Sequence, residues 1–300
     1  MGNACVVEVG KSFLGGAVGE YPTAVLGTLF FSSQKLLVDC EQGIFDKNAA
    51  LGQIRSCADA AGKVGVSLFL DIVAETPMAM KNYLEFVIRN TSLPFLIDAS
   101  SDEVRLAGIE TVQKHSALDR TVYNSIGTDT GKKELEVLKK YTPAAIVISA
   151  VDPMNFGLES SLSIVKKIKE AVPRRIHKRF LLDTGFLDEA SVKLSAKLAQ
   201  EVRTRTRLPV GGAPCNGMYM WEALKSRGEG AFIAALSATL GYVTAFGLDF
   251  LFVGPLRNVE LIASAIGAVN VYNRYELQSV EPNRTLPEQH PMKIMFRNSY

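Results

Sequence analysis

The chain has 300 residues, of which 47% are apolar and 21% charged, and its formal net charge is +2. It is too long for a minimal domain, can bury a large core, and is close to the ~250 residues of one α/β barrel. The near-neutral balance gives no reason to expect a polyanionic partner, and no Lys/Arg patch interleaved with aromatics points to nucleic acid.

Residues 8–13 read as a short strand ahead of the main body. Residues 15–22 form a glycine-rich loop that lacks a P-loop ending and does not sit between a strand and a helix. Eight further strands are predicted at 23–31, 66–73, 94–98, 121–126, 144–149, 180–183, 208–210 and 249–253. Each is a short apolar run, as expected for strands buried on both faces. Helices alternate with them. The first runs from an Asp46 N-cap to about residue 61, with Gly62 as its stop. Thr76 and Pro77 open the second as cap and first helical position. Ser100-Ser-Asp-Glu103 starts the third, 132–140 is the fourth and 160–171 the fifth. Asp188 is expected to cap a helix reaching about 202, and a last helix covers 258–275. The basic run 173–179 reads as a solvated helix end and loop.

The apolar run 230–256 is long enough on paper to cross a bilayer. Asp249 interrupts it and strand-like residues follow, so a buried helix and a buried strand are expected, with no membrane span. After Glu281, three prolines mark an irregular C-terminal extension. The predicted organisation is one domain over 1–280 and an extension over 281–300. Eight β-then-α units in this length predict a single (β/α)8 TIM barrel, with its active site at the C-terminal ends of the strands.

Nothing at the N-terminus resembles a secretory signal. Cys5, Cys40, Cys57 and Cys215 are widely spaced with no C-x-x-C pair, which suits a reducing cytoplasm. His115, His177 and His290 stand in no ligand spacing, so no protein-bound metal is expected.

The strand ends carry Asp71 and Glu75, Asp98 and Ser100, Asn124 and Ser125, Ser149 and Asp152, Asp183, and Asn216. After strand seven, Gly211 and Gly212 let a backbone approach a ligand closely. The set is rich in carboxylates and amides. It holds no evident nucleophile–base pair and no lysine for a Schiff base. Such a rim suits a flat heterocycle rich in N–H donors, and a 2-amino-4-oxo pterin is one. Singly, Asp98 and Asp183 also read as helix caps, Asn124 as a satisfied core amide and Glu75 as turn support.

Several motifs together resemble one family. They are Gly19-Glu-Tyr-Pro-Thr23, Leu26-Gly-Thr28, Gly43-Ile-Phe-Asp46, Glu75-Thr-Pro77, Phe95-Leu-Ile-Asp98, Tyr123-Asn-Ser-Ile126 and Gly212-Ala-Pro-Cys-Asn-Gly217. They are similar to the family of the H subunit of tetrahydromethanopterin S-methyltransferase, within the corrinoid-dependent pterin methyltransferase barrels. The likeness runs from about residue 15 to 275. Where that family has Gly-x-Pro-Gly-Glu, this chain has Gly16-Ala-Val-Gly-Glu20.

The resemblance implies methyl transfer between the cobalt of a corrinoid and N5 of a reduced pterin. It implies a ring held by Asp98, Asn124, Asp183 and Asn216, with Gly211 or Gly212 beside it and Asp71 and Ser149 as neighbours. Asn216 is the expected catalytic amide, since it can switch between accepting from and donating to N5. No cobalt-ligating D-x-H-x-x-G motif is present, so methylcobalamin is expected on a separate corrinoid protein. The expected carrier is tetrahydrofolate, as in bacterial relatives serving demethylation of methylated amines or betaines, in a cytoplasmic homodimer. The alternatives are a tetrahydromethanopterin-specific methyltransferase and a non-catalytic subunit that binds a pterin or a corrinoid protein. A dihydropteroate synthase is a further rival, but the basic residues it needs for pyrophosphate are not evident at the strand ends.

Overall fold

The computed structural model describes residues 4–295. Residues 1–3, where no leader is expected, and the end of the extension, 296–300, lie outside them. Eight strands form the barrel: Ala24–Leu29, Leu68–Val73, Phe95–Asp98, Thr121–Ile126, Ala145–Ser149, Phe180–Asp183, Val210–Gly212 and Phe250–Pro255. They pair in parallel in sequence order, and strand eight closes onto strand one. Parallel neighbours need crossovers, and the intervening helices supply them. Both faces of each strand are then covered, which is why runs such as Leu68–Ile72 and Phe95–Ile97 are buried without alternation.

The helices are α1 (Lys47–Val64), α2 (Pro77–Asn90), α3 (Asp102–Lys114), α4 (Lys132–Lys140), α5 (Leu158–Ala171), α6 (Val192–Thr206), α7 (Pro214–Met220), α8 (Glu222–Lys225), α9 (Glu229–Ala245), α10 (Val259–Val280) and α11 (Pro291–Met295). Asp46 and Thr76 are N-caps as expected, accepting from the N–H of Ala49 and Ala79. Three expectations shift. Gly62 lies inside α1, and the left-handed stop is Gly65 at φ 74°. Asp188 does not cap α6; it accepts from the N–H of Ala190 and Ser191 in the turn before it. Strand seven is Val210–Gly212 rather than 208–210, so both glycines sit in the strand and Asn216 lies on α7.

The strand expected at 8–13 is a hairpin, Val6–Val9 against Ser12–Gly15, turning at Gly10 with φ 61°. Cys5 N–H donates to Arg207 O and Gly10 N–H to Asp119 O. Those carbonyls precede strands seven and four, so the hairpin covers the end from which the strands start. The opposite end is left open for a site. There the loop after strand one is anchored by Phe30, which stacks on Tyr83 at 4.1 Å and packs on Phe45 at 4.6 Å.

The apolar run 230–256 is α9 followed by strand eight. Among the described residues no helix is long and apolar enough to cross a membrane. Asp249, which breaks the run, is nearly buried and takes two Arg203 hydrogen bonds (2.9 and 3.1 Å) and one from Val210 N–H (2.8 Å). It ties α6 to strands seven and eight. The C-terminal segment packs back: Arg274 donates to the carbonyls of Arg284 and Thr285, Arg284 pairs with Glu20, and His290 is fully buried.

Candidate functional site

The register of a closed parallel barrel brings the strand ends together in order. Thr28 pairs with Asp71, Asp98 lies beside Asn124, Ser149 beside Asp183, and Asp183 beside Gly211. Six neighbouring strands therefore deliver polar side chains to one mouth. Glycine completes the wall at the seventh.

Three carboxylates share this mouth. Asp71 is buried, and its Oδ2 accepts from the Thr28 hydroxyl at 2.8 Å. Its Oδ1 has no hydrogen-bond partner among the described residues. Burial, then the neighbouring Asp98 charge, pushes the Asp71 carboxyl well above the usual range. Burial also pushes Asp98 up, offset by hydrogen bonds from Asp71 and the Asn124 amide. Two carboxylates so close do not both ionise. Asp71 is shifted up the further of the two, because burial and the Asp98 charge act together there, so it is the member that holds a proton more readily. Asp98 is left as the charged acceptor.

Asp183 keeps a little solvent contact at the rim, while protein surrounds its carboxylate. Burial raises it to about 6; the Gly185 N–H, donating at 2.9 Å, opposes this, and the Asp98 charge adds to it. At neutral pH it is an ionised acceptor in a low-dielectric mouth. Neither Asp98 nor Asp183 caps a helix: Ser101 and Ser191 occupy those positions.

The two glycines of strand seven differ. A Cβ at Gly211 would lie 2.2 Å from Phe250 O, so this glycine is required by the close approach of strand eight. A Cβ at Gly212 would stand 3.0 Å from Asp183 Oδ1 and 2.9 Å from the Phe186 ring. Gly212 therefore lets the Phe186 ring and the Asp183 carboxylate pack directly against the strand backbone.

Asn216 is exposed near the start of α7. The Cys215 sulfur lies 3.6 Å from Asn216 Oδ1. Burial holds that thiol up at about 12, so it remains a proton donor to the amide oxygen and is no nucleophile. Asn216 also lines a cavity of about 810 Å³ that includes Thr28, Gly254 and Arg257. Ser149 faces another, of about 570 Å³, with Ser100, Ser125 and Thr130. Glu75 is not brought to the carboxylate cluster. It is exposed ahead of α2, and its charge, after burial and with those of Cys40 and Asp39, acts on the Tyr83 hydroxyl. Asp152 holds its own turn, accepting from Met154 N–H and the Asn155 amide. Thr28 and Cys215 went unassigned in the sequence; Thr28 lies one residue before the end of strand one, which the sequence reading extended to residue 31. Among the described residues no cluster of three or more His, Cys, Asp and Glu could hold a metal ion.

The fold and mouth define a class: a (β/α)8 barrel whose strand ends gather carboxylates and amides at one mouth. The chain belongs to the family described as tetrahydromethanopterin S-methyltransferase MtrH subunit, whose model matches residues 3–281. The H subunit of tetrahydromethanopterin S-methyltransferase from Methanopyrus kandleri is 30% identical over 306 residues, covering 94% of each chain. That of Methanosarcina acetivorans is 30% identical over 285 residues, covering 89% of each. Among solved structures, 7,8-dihydropteroate synthase from Vibrio fischeri superposes with a TM-score of 0.63 at 15% identity, over 90% of this chain and 98% of its own. Dihydropteroate synthase of Yersinia pestis gives 0.62 at 14%, over 89% and 98%. At that identity the two structures speak for the barrel alone.

Proposed function

We propose that this chain transfers a methyl group between N5 of a tetrahydropterin and the cobalt of a corrinoid carried by a separate protein. The observation that carries the reading is the clustering of Asp71, Asp98, Asn124 and Asp183 in one mouth, in a chain of this family. The relatives' names favour tetrahydromethanopterin as the carrier over tetrahydrofolate. The two share the ring that the mouth is suited to hold.

In this reading Asp98 and Asp183 accept the ring N–H and amino donors. Asn124 spends one N–H on Asp98 and keeps its second N–H and its Oδ1 for the ring. Asp71, protonated, braces Asp98. Gly212 lets Asp183 sit close against strand seven, and Ser149 stands beside Asp183. Asn216 faces N5: its amide accepts from a protonated N5 and donates to the neutral one. Positioning, with exclusion of water once the corrinoid protein covers the mouth, supplies most of the rate, worth ~7–11 kcal/mol in well-oriented reactions. The corrinoid approaches over the open mouth as the second substrate.

Single-turnover transfer tests this. Purified protein, methylcobalamin and a tetrahydropterin are mixed without oxygen, and the visible spectrum of the corrinoid is followed. Loss of the methyl–cobalt spectrum with formation of the N5-methyl pterin is expected, faster with tetrahydromethanopterin than with tetrahydrofolate. No transfer with either pterin, even with corrinoid proteins supplied, would replace this reading with a non-catalytic subunit that only binds its partners.

A homodimer is part of the same proposal. From Ala231 to Ala245, α9 carries no charged residue, and its exposed positions are Ala231, Ala234, Ala238, Tyr242 and Ala245. A helix apolar all round is normally buried. On the adjoining α10, Tyr272 and Tyr275 are exposed as well. Wild type is expected to sediment as a dimer and Ala238→Glu as a folded monomer. A wild type that is monomeric at micromolar concentration would remove this part.

A further inference from the structure

We propose that the cavity of about 810 Å³ beside Asn216 takes the anionic tail that a tetrahydropterin carrier bears on C6, and that Arg257 and Lys35 select for that tail. The inference rests on the reading of the mouth as a pterin site. It adds a second subsite and the residues that discriminate between carriers.

The argument starts from the ring. In a pterin, the amino and N–H donors lie at one end, while N5 and C6 are adjacent atoms at the other. With the donor end on Asp98 and Asp183 and N5 toward Asn216, whatever C6 carries must leave on the side of Asn216. The cavity lies on that side. Its inner wall includes Asn216 and Thr28, and Thr28 is also the residue that binds Asp71. Thr28 therefore stands between the cavity and the carboxylate cluster as a wall common to both, and the lining also includes Gln53, Tyr219, Lys35 and Arg257.

Charge identifies the occupant. Lys35 and Arg257 are both exposed, and neither makes a hydrogen bond or ion pair with another described residue. The one carboxylate in the lining, Asp46, is committed to the Ala49 N–H as the cap of α1. Two uncommitted cations against one committed anion favour a negatively charged group at the outer end. One-carbon pterin carriers bear on C6 an arylamine chain that ends in such groups. A guanidinium offers a planar fork of donors to carboxylate or phosphate, and an ammonium a point charge.

The test compares a carrier with its full tail against 6-methyltetrahydropterin, which has none. Both are measured by equilibrium binding and by methyl transfer from excess methylcobalamin, in wild type, Arg257→Ala, Lys35→Ala and the double variant. The ratio of the full-tail Kd to the tail-less Kd is expected to rise about tenfold on removal of one charge-assisted contact, and further in the double variant. The KM ratio should follow, and added salt should shrink the wild-type preference. An unchanged ratio in all variants would overturn the proposal, as would a shift confined to the KM for the corrinoid. The two readings fail separately. Tail-dependent binding that responds to Arg257 without any turnover would sink methyl transfer and leave this subsite standing. Turnover with an unresponsive ratio would sink the subsite alone.

Discussion

Asp183→Asn is expected to lose roughly two to three orders of magnitude in kcat/KM for the tetrahydropterin, and yet to melt higher than wild type near neutral pH. The loss follows from replacing an ionised acceptor by an amide, which removes charge-assisted hydrogen bonds and turns an N–H toward donors on the ring; sites built to pair a polar group discriminate by such factors. The gain in stability has a separate cause. Asp183 is raised from 3.8 to about 6 in the folded protein, mainly by burial. The folded state then binds this proton more readily than the unfolded state, so stability falls as pH rises from about 4 to about 6 and stays lowered above that. A two-unit shift corresponds to roughly 3 kcal/mol at most. Asparagine cannot ionise and escapes this penalty. Thermal melts of both proteins across pH should show the variant's advantage at pH 7–8 and its disappearance toward pH 4. An advantage that stays flat, or grows in acid, would contradict the burial argument. By the same titration, pterin binding to wild type should weaken as pH falls through about 6.

Asn216→Ala is expected to lower kcat about 100-fold while changing the KM for the pterin less than threefold. In the proposed reading the ring is held from its other end by Asp98, Asn124 and Asp183. Asn216 therefore acts on the reacting nitrogen, where loss of one positioned polar group typically costs 10²–10³ in rate. Asn216→Asp is the informative companion. Its carboxylate accepts from a protonated N5 but cannot donate to the neutral one, so the two directions of transfer should suffer unequally. A raised KM with kcat intact would make Asn216 a binding residue remote from the reacting atom.

These variants act on residues of unequal legibility. Asp98, Asn124 and Asp183 were readable because each ends an apolar run, and in a parallel barrel all such ends meet at one rim. Asp46 and Thr76 were readable as caps because capping is local, settled within four residues. Glu75 satisfied the same strand-end pattern and still stands outside the cluster. It lies beyond the last residue of strand two, Val73, where the strand no longer dictates direction. Asn216 was expected at a strand end, beyond glycines placed after strand seven. Instead, Gly211 is spent on the contact with Phe250, and Pro214 opens α7.

From local residue order alone came the eight βα units, the barrel class, the interrupted apolar run and the family likeness. Hydrophobic runs, caps and breakers act over a few residues, so a linear reading captures them. The tertiary structure decided which carboxylates share one mouth and in which direction burial shifts them. Asp71 and Thr28 are 43 positions apart and meet only through strand register. Asp71 lies 27 residues before Asp98, and their coupling exists only because barrel closure buries both in one low-dielectric mouth. Burial and through-space charge are properties of the closed barrel, and no stretch of the chain carries them by itself.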